Sequence, residues 1–124
     1  MELAAGELER HKQAKELFHG KDGLNCVQAV LKVFQAECGI SDEVVTRAGK
    51  LGGGRAEGGV CGALYATWML CGDDDIKVCI DGEFRESAGC IRCKVIRKQG
   101  KLSCRECVGL AAELLGRHGA VRSG

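Results

Sequence analysis

Three of the nine cysteines in this 124-residue chain stand where a helix is about to begin, and that placement narrows the possible folds sharply. Asn25-Cys26-Val27-Gln28, Gly58-Gly59-Val60-Cys61 and Ser103-Cys104-Arg105-Glu106 each put a thiol at a candidate first turn. Backbone N–H groups there have no intrahelical partner, and the positive end of the helix dipole favours a negative sulfur. A thiol used only as a small core hydrophobe has no need of that position. The pattern points to a helical chain whose thiolates bind a metal or exchange electrons.

Composition agrees with a helical build. Aromatic residues are only 4% of a chain that is 45% hydrophobic, so the core must rest on Leu, Val, Ala and Cys, which pack closely between helices. With 19 glycines and no proline, tight bends must use glycine, which tolerates positive φ. At this length one domain with a modest core is the default. The expectation is a mainly α, single-domain bundle of about five helices over residues 1–124. It would carry a glycine-rich loop, an irregular cysteine-rich segment and a disordered start at 1–6.

A net charge of +1 gives no global drive toward nucleic acid or a membrane. The most apolar stretch, 60–72, is shorter than the roughly 20 residues a membrane-spanning helix needs. Residues 1–7 have neither the basic start nor the apolar run of a secretory leader, so a cytoplasmic location is expected. In a reducing compartment, cysteine-rich segments bind metal or cycle redox state more often than they form permanent disulfides. An odd count of cysteines also forbids complete internal pairing.

Residues 7–19 read as a helix with Leu8, Ala14, Leu17 and Phe18 on a loose apolar face, broken by Gly20-Lys21-Asp22-Gly23. A second helix spans about 25–38, its stripe of Val27, Val30, Leu31, Phe34 and Cys38 following the 3.6 period. Asn25 caps it, with Gln28 reciprocating from the N3 position. Ser41 caps a third helix whose first turn holds Asp42 and Glu43. The loop 52–59 is rich in glycine, and a fourth helix at about 60–71 is apolar nearly all round, hence central. Residues 76–80 alternate like a short strand that Asp81-Gly82 would turn, with 83–89 open to a helical turn. Residues 94–102 fit either a hairpin around Gln99-Gly100 or a helix. Ser103 and Glu106 form a capping box for a last helix with the stripe Cys107, Leu110, Ala111, Leu114 and Leu115, ended by Gly116.

The helix-start thiols make a distributed set: Cys26, Cys61, one cysteine of the 90–93 pair, and Cys104. Around them stand Asn25-Cys26-Val27-Gln28-Ala29-Val30-Leu31, the glycines 52–54, Cys61-Gly62-Ala63, Gly89-Cys90-Ile91-Arg92-Cys93, and Cys104 ahead of Ala111-Ala112-Glu113-Leu114-Leu115. On these, over about residues 12–116, the chain resembles the small redox-active proteins named for their C-GCAxxG-C-C pattern. The resemblance implies a helical fold and a redox or iron–sulfur role; relatives of this cysteine pattern occur alongside haem in split-Soret cytochromes. Carried over residue by residue, the family's four cysteines fall on Cys26, Cys61, Cys93 and Cys104, with Cys90 the other candidate for third place. Ala66 stands where the pattern has glycine. The stretch between Cys71 and Cys90 is shorter than in the family and reads as lacking its long helix. Iron–sulfur clusters are held mainly by thiolates, and N–H groups at helix starts and in the glycine loop would donate to their sulfurs.

A local set competes for two of these residues. Cys90-Ile91-Arg92-Cys93 and Cys104-Arg105-Glu106-Cys107 are two CxxC pairs, a pattern suited to a structural zinc site. Against it, Cys107 lies on the apolar stripe of the last helix, and neither knuckle has the glycine that lets such a turn wrap the metal. A third option is a reversible disulfide at either pair. The basic run Arg92, Lys94, Arg97, Lys98, Lys101 and Arg105 would lower nearby thiol pKa values and attract an acidic redox partner. As a charge run it reads first as a solvated face, and without aromatic residues it is no nucleic-acid patch.

Cys38 and Cys71 fall on buried stripes and read as structural, while Cys79 is ambiguous. The glycine loop lacks the Gly-Lys-Ser/Thr ending of a P-loop. His11, His19 and His118 show no ligand spacing, Tyr65 and Trp68 read as core, and no Ser/His/Asp set or acid–base pair is evident. The functional expectation is therefore a small redox protein that binds an iron–sulfur cluster through Cys26, Cys61, Cys93 and Cys104. It would pass electrons to a partner protein rather than convert a metabolite, with a homodimer suggested by its small-residue faces. Its rivals are a structural zinc module on Cys90, Cys93, Cys104 and Cys107, and a thiol–disulfide protein.

Overall fold

Eight helices carry the described residues of the computed structural model, which are 5–20, 23–51, 56–71 and 73–118. They are α1 (Ala5–Leu17), α2 (Cys26–Val33), α3 (Gln35–Cys38), α4 (Asp42–Arg47), α5 (Gly62–Leu70), α6 (Asp74–Ala88), α7 (Cys93–Gln99) and α8 (Cys104–Arg117). Short 3-10 turns lie at Ala48–Lys50 and Glu57–Gly59. Among the described residues there is no strand; isolated bridges join Phe18 to Leu24 and Val60 to Arg92. The mainly α expectation holds, with more and shorter helices than the five expected. Residues 1–4 and the loop glycines 52–54 lie outside the described residues, as does the Leu8 side chain. Ala5 and Gly6, expected to be disordered, begin α1.

Helix starts follow their caps. Asn25 Oδ1 accepts from the Gln28 N–H at 2.8 Å and Gln28 Oε1 accepts from the Asn25 N–H at 3.0 Å, opening α2. Ser41 Oγ accepts from the Val44 N–H at 3.2 Å, opening α4. The Ser103–Glu106 box opens α8, at 3.1 and 2.9 Å. Helix ends depart further from the sequence pattern. Phe34 leaves the helical region at φ −102° and ψ 7°, splitting the expected 25–38 helix into α2 and α3. At the other end of the chain, α8 runs through Gly116 to Arg117.

The strand-like alternation at 76–80 is overridden by a 15-residue helix. Asp73 Oδ1 caps α6, accepting from the N–H groups of Asp75 and Ile76 at 2.8 and 3.2 Å. Ile80, Phe84 and Ala88 recur every fourth residue and are fully buried, whereas Val78, the middle of the apparent alternation, is 68% exposed. Burying this i, i+4 stripe of three residues against α8 and α5 wins over a weak local β pattern. The stretch between Cys71 and Cys90 thus carries a long helix, correcting the reading of it as lacking one. Residues 94–99 are likewise helical rather than a hairpin arm: Cys93 and Ile96 face inward and Gly100, at φ +72°, ends α7.

Packing centres on α8, which lies against α1, α2, α5 and α6. Its Val108, Ala111, Ala112, Leu114 and Leu115 are fully buried, as are Phe34, Leu31 and Leu64 opposite. Each large apolar side chain so buried contributes roughly 1.5–3 kcal/mol. The α1–α8 seam is tight at Gly109, where a Cβ would come within 2.7 Å of the His11 ring. Central α5 is not buried all round: Met69 is 41% exposed, and Tyr65, Trp68 and Leu70 are half-buried, with Trp68 Nε1 donating to Asp81 Oδ1 at 2.7 Å. No helix among the described residues is long and apolar enough to cross a membrane.

Candidate functional site

Each of the four expected sulfurs sits at a helix start. Cys26 is the first residue of α2, held there by the Asn25 capping box. The spare amide protons of that box reach sideways, from Asn25 Nδ2 to Ala48 O at 3.1 Å and from Gln28 Nε2 to Val45 O at 3.0 Å. These bonds tie the start of α2 to α4 and the turn after it. Cys61 is the N-cap of α5, and its N–H donates to Ile91 O at 2.6 Å, which fastens it to the segment entering α7. Cys93 opens α7 and Cys104 opens α8.

All four line one cavity of about 580 Å³. Cys107, one turn into α8, lines it as well, together with Phe18, His19, Ile96, Arg97 and Arg105. Gly62 explains how the starts of α2 and α5 approach: a Cβ there would collide with the Cys26 sulfur and come within 2.8 Å of Val27 Cγ2. Only a residue without a side chain lets Cys26 lie beside the first turn that Cys61 caps. His19 stacks on Phe18 at 3.9 Å between ring centroids, in a left-handed conformation (φ 55°) closed by its N–H donating to Leu24 O at 2.8 Å.

The sulfurs are not equivalent. The Cys107 thiol donates to the Cys61 sulfur, and this is the main reason the Cys61 thiol is lowered to about 7. Burial opposes the shift. The Leu64 and Ala63 amides and the Arg97 charge assist it, although the sulfur closes no regular capping bond. Cys107 is pushed the other way, first by its role as donor to Cys61 and then by burial. Burial also pushes Cys93 up, with the charges of Cys61 and Cys104 adding to it against Arg97 and Lys94. The Arg97 guanidinium donates to the Cys104 sulfur and feels Cys93 and Cys26 besides, which raises it above the usual arginine value. One thiol is thus poised to ionise near neutral pH, and a fixed positive charge stands among three others.

Of the CxxC quartet, Cys93, Cys104 and Cys107 line the cavity but Cys90 does not; its sulfur accepts from the Arg92 N–H at 3.4 Å. Cys38 and Cys71 are half-buried against the core rather than fully inside it, and the Cys71 thiol donates to Asp73 O at 3.2 Å. Cys79 is exposed on α6. In the sequence Cys107 reads as core, as a zinc ligand or as half of a CxxC disulfide with Cys104, and not as the partner of Cys61. Its spacing of three from Cys104 put it one helical turn along on the same side, which was the available signal. Phe18 and His19 carried no such signal.

Among the described residues, no three His, Cys, Asp or Glu side chains are gathered closely enough to hold a metal ion. The cavity sulfurs face a common space without converging on one point. In kind, the donors suit a thiophilic centre such as an iron–sulfur cluster: five thiols and no carboxylate in the wall. No protein-family model, curated protein or solved structure matches this chain.

Proposed function

We propose that this chain is a small redox protein whose active element is the thiol cavity. Cys26, Cys61, Cys93 and Cys104 would hold an iron–sulfur cluster there, and electrons would pass to a partner protein. The observation that supports this best is the meeting of four helix-start thiols, far apart in sequence, on one cavity wall. Helix-start amides and dipole ends favour thiolate ligands, and Arg97 offsets the negative charge they gather. When bound, such a cluster supplies one-electron transfer at a potential set by hydrogen bonds to its sulfurs and by burial. The chain's own part is to hold the thiolates, to screen them from water with Phe18 and Ile96, and to present Arg97 beside them.

One contact favours a second reading, the Cys107 thiol on the Cys61 sulfur. A Cys61 thiolate would attack one sulfur of a partner disulfide and release the first partner thiolate. Cys107, giving up its proton, would then attack the Cys61 sulfur of the mixed disulfide and release the second. Two electrons go to the partner, whose two thiolates take up the proton released by Cys107 and the one Cys61 gave to solvent on ionising, and a Cys61–Cys107 disulfide remains.

The readings separate on protein purified without oxygen. A cluster makes it brown, with iron and acid-labile sulfide that Cys26→Ser and Cys61→Ser both abolish. Colourless protein with stoichiometric zinc retained in both variants overturns this in favour of a zinc module on Cys90, Cys93, Cys104 and Cys107. Metal-free protein that reversibly loses two thiols to oxidant, and fails to do so as Cys107→Ala, moves the function to the Cys61–Cys107 pair.

A further inference from the structure

The cations of this chain are unevenly spread. Of its 18 lysines and arginines, six (Arg92, Lys94, Arg97, Lys98, Lys101 and Arg105) fall within residues 92–105, which hold no Asp or Glu. The other twelve stand against all 17 acids, so the rest of the chain is net acidic. All six are exposed, and the ion pairs among the described residues involve other cations. Lys94, Arg97 and Lys98 are spaced i, i+3, i+4 on α7, so like charges crowd one side of a short helix at some cost to its stability.

This patch borders the thiol cavity. Arg97 and Arg105 line the cavity beside Cys93 and Cys104. Arg105 is anchored there by donating to Lys15 O at 2.8 Å, with its guanidinium over the Phe18 ring. Val95, 36% exposed, sets an apolar side chain among the cations. Like charges with no carboxylate partner in the ion pairs among the described residues, set around an apolar spot, suit the steering and seating of an oppositely charged protein face. The patch is also broader than a small anion needs.

We infer that the surface of α7 and its flanks, from Arg92 to Arg105, is a docking face for the acidic surface of a redox partner protein, across which the cavity exchanges electrons. This rests on the redox reading above.

The test mixes the reduced full chain with two outer-sphere oxidants of opposite charge, hexacyanoferrate(III) and tris(phenanthroline)cobalt(III). Each ion takes one electron: one ion oxidises a reduced cluster, or two ions oxidise a thiol pair to a disulfide with release of two protons. The anionic oxidant should react at least about tenfold faster at low salt, an advantage that shrinks as salt is added. An oligoglutamate peptide, standing in for an acidic protein surface, should slow that reaction well beyond what sulfate at equal ionic strength does by screening. The triple change Lys94→Gln, Lys98→Gln, Lys101→Gln lies outside the cavity wall and should remove most of both effects while leaving the helical circular dichroism unchanged. If the triple variant keeps both effects and only Arg97→Gln with Arg105→Gln removes them, the cavity takes a small anion and the docking face is overturned. Wild-type protein that reacts equally with both oxidants also overturns it, and leaves the redox reading standing. Folded protein that reacts with neither ends the redox reading and the docking face together.

Discussion

The Cys107 thiol donates to the Cys61 sulfur, and that bond does more than the helix-start amides or Arg97 to bring Cys61 from the ordinary 9.0 to about 7. The donor takes the opposite shift, because ionising Cys107 would lose the bond and add a second charge to a buried wall. A thiol held low becomes thiolate, and so reactive, as pH climbs through its lowered value. In reduced, metal-free protein, alkylation of Cys61 by iodoacetamide, followed residue by residue in the mass spectrometer, should therefore rise with pH through a midpoint of about 7. Cys107→Ala should move the midpoint upward. Cys93, pushed up mainly by burial, should stay slow at neutral pH in both proteins. A midpoint that does not move would give the whole effect to the backbone amides and Arg97.

Two helical glycines make opposite demands on their elements. Gly62, in the first turn of α5, has no room for a Cβ because the Cys26 sulfur and Val27 occupy it. Gly62→Ala should cost about 1–3 kcal/mol, as overpacking does, and should speed alkylation of Cys26 by displacing its sulfur from the seam. Gly82, in the middle of exposed α6 surface, meets nothing within 4 Å. Gly82→Ala should stabilise the protein by about 0.5–1 kcal/mol through the lower conformational freedom of the unfolded helix segment. Urea unfolding of the two variants reads both signs. Equal destabilisation would mean that α6 is bent or packed at Gly82 in a way its open surroundings do not indicate.

Across the whole molecule, Glu113 does for charge what α8 does for packing. It is 8% exposed, takes His11 of α1 at 2.8 Å and Arg117 of its own helix, and Arg117 pairs in turn with Glu83 of α6 at 2.9 Å. His118 also pairs with Glu83. Removing Glu113, the one buried member, leaves the partly exposed His11 and Arg117 without their shared carboxylate. Glu113→Ala should cost about 1–3 kcal/mol, whereas Glu43→Ala, which breaks the exposed Glu43–Arg47 pair, should cost no more than about 0.5 kcal/mol. Comparable losses in urea unfolding would remove Glu113 as a tie between α1, α6 and α8.

Residues within one turn of each other settled much of this protein before any packing. The caps at Asn25, Ser41 and Ser103 predicted three helix starts, and two of them place the thiols Cys26 and Cys104 where unpaired amides await. Those features are local: a side chain and an N–H three residues on, or a charge beside a dipole end. Packing decided the rest. Whether 76–80 is strand or helix turned on a burial stripe that α8 and α5 had to complete, and the break at Phe34 came with that ring's insertion into the core. In the same way, only the way α2, α5, α7 and α8 meet could bring Cys107 against Cys61 and leave Cys90 outside the cavity. A thiol's helix position is written in its neighbours along the chain, but its companions in a cavity are set by contacts between residues far apart, which no short window contains.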